Sequence, residues 1–169
     1  MPAINSTDKI SDSVFPEIKA DEPPGFLFVD HIAIAVCAGE LERQVRMYQQ
    51  IGFRELHREE IGGSDQVREV LLQIGESPNL IQLVEPVSAD SPIQKQIDRS
   101  GGRGGLAHVG FRVKNAQLAF DFFKAKNFRI IDTAPRPGSR GTTVFFLHPK
   151  SHENAPFGVL YEIVEDSKK

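Results

Sequence analysis

With 169 residues and a formal net charge of -3, the chain is long enough to bury one substantial core and has no surplus of positive charge to draw it to nucleic acid or an anionic membrane. Its 40% hydrophobic and 25% charged residues place it in the ordinary soluble globular class, and no apolar run reaches bilayer length. The single Cys37 excludes an intramolecular disulfide and points to a reducing compartment.

Residues 1–24 are polar and acidic and close on Glu22-Pro23-Pro24. They lack the apolar core of a secretory leader and the arginine-rich character of a mitochondrial one. Residues 1–26 are therefore expected to be a flexible extension, and the protein to reside in the cytoplasm. Residues 28–36 form the first predicted strand, with His31 on the same face as Ala33 and Ala35, while Ile32, Ile34 and Val36 face covering helices. Over 40–51, Leu41, Val45, Tyr48 and Ile51 recur at helical spacing, and Gly52 ends the pattern. Residues 53–58 and 67–74 alternate around the turn-forming 61–65 segment and predict a hairpin; a further strand, 79–84, carries Gln82.

A connector with a short helical pattern at Ile93 and Ile97 and a glycine run at 101–105 leads to a second series in the same order. It comprises a strand at 106–113 carrying His108, a helix at 116–125 with Leu118, Phe122 and Ala125 inward, and strands near 127–131, 142–147 and 158–164. Two βαβββ modules, 28–85 and 105–165, are thus expected to pair within one α+β domain over 27–167, as a curved, half-open barrel around a cleft.

Gln82 lies 51 residues after His31, and Glu162 lies 54 after His108. Either histidine alone would read as a hydrogen-bonded core residue. A repeat in which each copy offers one imidazole and one oxygen donor reads instead as a four-ligand metal site built from His31, Gln82, His108 and Glu162. Such a donor set, free of thiolate, suits Co²⁺, Zn²⁺, Mn²⁺ or Mg²⁺. Small Ala33 and Gly110 leave room beside the imidazoles. Glu69, in phase with Val67 and Leu71, is a carboxylate on an apolar face and a candidate general base, with an ion pair or edge exposure as its bland reading. His57 follows the exposed parity of an edge strand, and His148 and His152 fall in loops. Arg136, Arg140 and Lys150 gather around the 142–147 strand, where they could meet an anionic substrate or simply be solvated.

The segments Asp30-His31-Ile32-Ala33, Val67-Arg68-Glu69, Leu80-Ile81-Gln82-Leu83, Phe146-Leu147-His148-Pro149-Lys150 and Gly158-Val159-Leu160-Tyr161-Glu162 together resemble the vicinal-oxygen-chelate (glyoxalase) superfamily, and within it the methylmalonyl-CoA epimerase family. The resemblance spans roughly 28–165. It implies that His31, Gln82, His108 and Glu162 hold a divalent metal, Co²⁺ in the first place, and that Glu69 and Glu162 flank the substrate carbon as catalytic groups. It further implies an acyl-CoA substrate, contacted by Arg140 and Lys150, and a homodimer without nucleic-acid or membrane partners. Members of the family usually carry two histidines where this chain has Ala107-His108, and the 151–157 loop is longer than usual. A glyoxalase-type isomerase and a non-catalytic, resistance-type binding dimer on the same fold are the alternatives; an acidic ligand in place of Gln82 would favour the former.

Overall fold

The computed structural model describes residues 22–151 and 156–166. Most of the expected 1–26 extension, His152 and the centre of the 151–157 loop lie outside them. The first series forms β1 (Phe26–Ala35), α1 (Leu41–Gln50), β2 (Phe53–Ile61), β3 (Val67–Ile74) and β4 (Leu80–Pro86). A connecting helix α2 (Pro92–Arg99), capped by the Ser91 hydroxyl accepting from Ile93 N, leads to β5 (Gly105–Val113), α3 (Ala116–Ala125), β6 (Arg136–Pro137), β7 (Thr143–Leu147) and β8 (Leu160–Glu165).

In each half the first strand runs parallel to the last, and the hairpin extends the sheet outward antiparallel. β1 and β5 pair antiparallel at the centre, giving one eight-stranded sheet in the order β2-β3-β4-β1-β5-β8-β7-β6. The repeat extends to the helix caps. Glu85 at the end of β4 accepts from Leu41 N at 3.1 Å, and Glu165 at the end of β8 accepts from Ala116 N at 2.6 Å. A carboxylate at a helix N-terminus satisfies an orphan amide and complements the helix dipole.

The sheet curls until its far ends meet. Arg136 on β6 reaches Asp65 in the β2–β3 turn at 3.2 Å, and the amide of Arg140, in a 3-10 turn at Ser139–Gly141, donates to Glu59 on β2 at 3.1 Å. Helices cover the convex side. Leu41 and Val45 of α1 pack on Val36, Val70, Leu72 and Leu83, and α3 packs on Phe145 and Ile163. Burying a side chain such as Phe145 contributes about 1.5–3 kcal/mol.

Four local expectations are corrected. On α3 the inward face is Ala116, Ala119, Phe120 and Phe123, whereas Leu118 is 56% exposed and Ala125 is exposed. The alanines allow close approach, and Phe120 and Phe123 pack edge-on against Phe145, burying more apolar area than Leu118 offers. Ile32, expected under a helix, is 40% exposed, because the β1–β5 seam lies between the sheet regions covered by α1 and α3. The strand near 127–131 is reduced to one bridge, Ile130 to Leu147. Beyond it the Asp132 carboxylate accepts from Phe146 N at 2.7 Å, replacing a backbone carbonyl, and Pro135 and Pro137 remove donors from the ladder. Finally, a register shift between Glu55 and His57 reverses the parity of β2, so that His57 and Glu59 are half-buried on the cleft side.

Candidate active site

The concave face encloses a cleft of about 350 Å³ lined by His31, Glu69, Gln82, His108, Ser139, Arg140 and Glu162 among others. Strand register explains the convergence. Gln82, Ala33 and His108 lie side by side on β4, β1 and β5; His31, Gly110 and Glu162 lie side by side on β1, β5 and β8. The two rows are offset by two residues and therefore share a face. Each places a small residue between two donors. Pseudo-symmetry exchanges His31 with His108 and Gln82 with Glu162. A Cβ on Gly110 would stand 2.4 Å from the His31 ring, so the missing side chain is the space the imidazole fills.

The Nε2 atoms of His31 and His108 are 3.0 Å apart, and Glu162 Oε2 lies 2.9 Å from the first and 3.3 Å from the second. Donors about 2.0–2.2 Å from one cation stand roughly 3–3.5 Å from each other, so these edges fit a divalent ion. Gln82 supplies an independent indication. Its Nε2 donates to Glu69 Oε2 at 2.7 Å, which fixes the amide, and its Oε1 is buried with no hydrogen-bond partner. A buried acceptor without a partner beside three converging donors fits the role of a fourth ligand to one cation.

Sequence reasoning named Asp30 without assigning it a role. Strict alternation would put it on the face opposite His31, but the β1–β5 register shifts between Val29 and His31, and both are buried. Asp30 Oδ1 accepts from His31 Nδ1 at 2.8 Å, leaving Nε2 for the site. Arg112, on the histidine face of β5, donates to Asp30 Oδ2 at 2.8 Å, and Arg140 reaches Oδ1 at 3.2 Å. Burial opposes ionisation of Asp30, yet its bond with His31 and the two guanidinium charges hold its carboxyl below the usual range. Burial likewise disfavours charge on His31, but hydrogen bonds with Asp30 and Glu162 raise it to about 9. His108 is pushed down by desolvation. For Glu162, bonds from both imidazoles outweigh burial and hold the carboxyl far below its ordinary value.

Glu69 stands beside this group, not within it. It is 3% exposed, with one oxygen bonded to the Gln82 amide and the other to the Ser139 hydroxyl. Burial raises its proton affinity, and the charges of Glu162 and Glu59 add to the shift. Ser139 carried no signal in the sequence, because only the curl of the sheet brings its 3-10 turn to β3. Arg140 lies in the cleft, with its Nε buried and unpartnered. Arg136 also lines the cleft, paired with Asp65 and Asp132. Lys150 is exposed and lies outside the cleft lining.

Residues 30–146 match the sequence pattern of the glyoxalase/bleomycin resistance protein/dioxygenase superfamily. The chain is 36% identical to the mitochondrial methylmalonyl-CoA epimerase of Dictyostelium discoideum over 92 residues, which is 54% of this chain and 52% of that protein. To the mitochondrial enzyme of Bos taurus it is 29% identical over 135 residues, covering 80% of this chain and 72% of the relative. Among solved structures, a variant of Streptomyces coelicolor methylmalonyl-CoA epimerase in complex with 2-nitronate-propionyl-CoA superposes with a TM-score of 0.74 at 30% identity, covering 85% of this chain and 99% of that one.

Proposed function

The chain belongs to the glyoxalase/bleomycin resistance protein/dioxygenase superfamily, and from that premise we propose that it is an epimerase. It interconverts the C2 epimers of methylmalonyl-CoA, or of a close acyl-CoA, at a divalent cation held by His31, Gln82, His108 and Glu162. The observation that carries this reading is Glu69, a buried carboxylate of raised proton affinity, set beside the ligand group and oriented by the amide of one of its members. Similarity over most of the chain to methylmalonyl-CoA epimerases supports it.

In this mechanism Glu69 takes the C2 proton, and the electrons of the broken C–H bond move toward the thioester oxygen. Glu162, having taken up a proton from solvent, then gives it to the opposite face of C2, readily because the two imidazoles favour its ionised form. A cation held by His31, Gln82, His108 and Glu162, Co²⁺ by resemblance with Zn²⁺, Mn²⁺ or Mg²⁺ as the other candidates, would supply positive charge to stabilise the enolate. Glu162, bonded by two imidazoles, is the weaker of the two bases. Arg140, with an unpartnered Nε in the cleft, faces the substrate's own oxygens.

A second cavity of about 400 Å³ shares Ile131 and Leu160 with the first and is rimmed by Arg99 and His148. It suits the CoA arm. Of the basic residues around the 142–147 strand, Arg136 and Arg140 already face carboxylates, which leaves Lys150, just beyond His148, beside Arg99 as a phosphate contact. Affinity that neither falls with salt nor weakens in Lys150→Ala would remove Lys150 from the site. Exposed Ile32 and Leu106 at the uncovered seam support a homodimer, which light scattering on wild type and Ile32→Lys would test. Among the described residues no helix is long and apolar enough to cross a membrane.

The deciding experiment incubates metal-loaded protein with one epimer of methylmalonyl-CoA in deuterated water. Deuterium should enter C2 as the other epimer appears; a thioester that keeps its proton would refute the proposal.

A further inference from the structure

Resting on the epimerase reading, this inference concerns how Glu69 is reset. A two-base epimerase ends each turnover with a proton on the base that abstracted it and none on the base that gave one away. Before the same epimer can react again, the first base must release that proton to solvent. Glu69 is 3% exposed, so it needs a route.

The structure supplies the parts of one. Glu59 on β2 stands directly opposite Glu69 on β3, an arrangement that costs stability when both are charged. The Ser139 hydroxyl is bonded to Glu69 Oε1, its neighbour Arg140 donates its amide to Glu59 Oε1 at 3.1 Å, and a Glu59 oxygen lies within 4.8 Å of a Glu69 oxygen, a gap that one hydroxyl can bridge. A hydroxyl has a single proton to donate. It can serve one ionised carboxylate, and it makes a second bond only by accepting from a protonated partner. The trio is therefore fully bonded when Glu59 and Glu69 carry one proton between them. Glu59 is held in place by the Arg140 amide at 3.1 Å and is one-third exposed. His57, turned inward by the bulge in β2, sets a buried Nε2 with no hydrogen-bond partner 3.5 Å from Glu59 Oε1. Together with Glu69 these residues form a second cluster of potential metal ligands, but both Glu69 oxygens and Glu59 Oε1 already accept hydrogen bonds.

We propose that Ser139, Glu59 and His57 form a proton relay that returns Glu69 to its ionised state. Protonated Glu69 donates to Ser139 Oγ as the hydroxyl passes its own proton to Glu59. Glu59 then releases that proton to water, directly or through His57 Nε2. Net, one proton moves from Glu69 to solvent, and Ser139 is left as it began. Ser139, Glu59 and His57 act through Glu69 as positioning and transfer groups.

The test compares cobalt-loaded wild type, Glu59→Gln, Ser139→Ala and Ser139→Thr on a single epimer of methylmalonyl-CoA in deuterated water, by rapid quench and at steady state. In Glu59→Gln the first turnover should proceed at near wild-type rate as a burst of about one equivalent, followed by a steady state slower by roughly tenfold or more. Added imidazole or formate should accelerate that slow phase, an effect no packing defect produces. Ser139→Ala should behave like Glu59→Gln, and Ser139→Thr, which keeps the hydroxyl, like wild type. If wild type exchanges C2 while Glu59→Gln shows neither burst nor rescue, the relay is overturned and the epimerase reading stands. No exchange in wild type overturns both.

Discussion

Gly110→Ala probes the site with the least chemistry. The backbone angles of Gly110 lie outside the left-handed region, so alanine meets no conformational obstacle and only space is at issue. The new methyl would stand 2.4 Å from His31 Cε1, 2.6 Å from Nδ1 and 2.9 Å from Nε2. Unstrained contacts need about 3.5 Å, so the ring must retreat by roughly 1 Å. Ligand distances tolerate about ±0.2 Å, and the same movement strains the 2.8 Å bond to Asp30. Titrating Co²⁺ or Zn²⁺ into dialysed protein should show affinity reduced by roughly 100-fold, the upper end of what losing a ligand's support does. Overpacking of about 1–3 kcal/mol should lower the metal-free Tm by roughly 2–12 °C while the circular dichroism spectrum is kept. Wild-type metal affinity in a folded Gly110→Ala protein would mean that His31 is not a ligand from this position, and the donor geometry would have to be redrawn.

Glu69→Gln keeps the shape and the Ser139 contact while removing the base. Metal content by emission spectrometry should persist as epimerisation falls by about 10²-fold or more; loss of metal as well would show that Glu69 is structural. Gln82→Glu replaces the amide donor to Glu69 with a second carboxylate, so metal should bind more tightly while the acidic limb of kcat/KM moves to higher pH; an unshifted limb would disconnect the two residues. In the metal-free protein the interaction that raises His31 to about 9 contributes stability fully below pH 6.5 and loses it as pH rises through 9. A metal must displace that proton, so calorimetry at pH 7 in buffers of different ionisation enthalpy should record roughly one proton released per ion bound, and none would contradict a charged His31.

The convergence of His31, Gln82, His108 and Glu162 was legible because the repeat is local: each half carries its own strand-borne histidine and closing-strand donor, and β register does the rest. The order of elements was legible for the same reason. What escaped depends on irregularities that periodicity does not encode. Asp30 shares a site with its neighbour His31 only because the β1–β5 register slips there, and His57 reaches the cleft only through the bulge before it. Ser139 is set by curl, a long-range property of all eight strands. The α3 face was misassigned at Leu118 and Ala125 because these fit a helical stripe with the half-buried Phe122 as well as Phe120 and Phe123 fit theirs, and only the aromatic packing on Phe145 decides.

The departure from symmetry that matters for chemistry is Gln82 opposite Glu162. On the proposed reading, two neutral imidazoles, one amide and one carboxylate would leave a divalent cation with one net positive charge, where a second carboxylate would neutralise it. Such a site would attract a substrate that brings its own carboxylate and develops further negative charge on its thioester oxygen as the proton leaves. The amide does a second thing a carboxylate cannot: it donates to Glu69 and holds the base at the edge of the donor group. A glutamate at that position would repel the base it now orients. On that reading one neutral side chain would set both the charge of the site and the place of its proton acceptor, giving a two-fold scaffold the two unequal sides that a reaction at a single carbon requires.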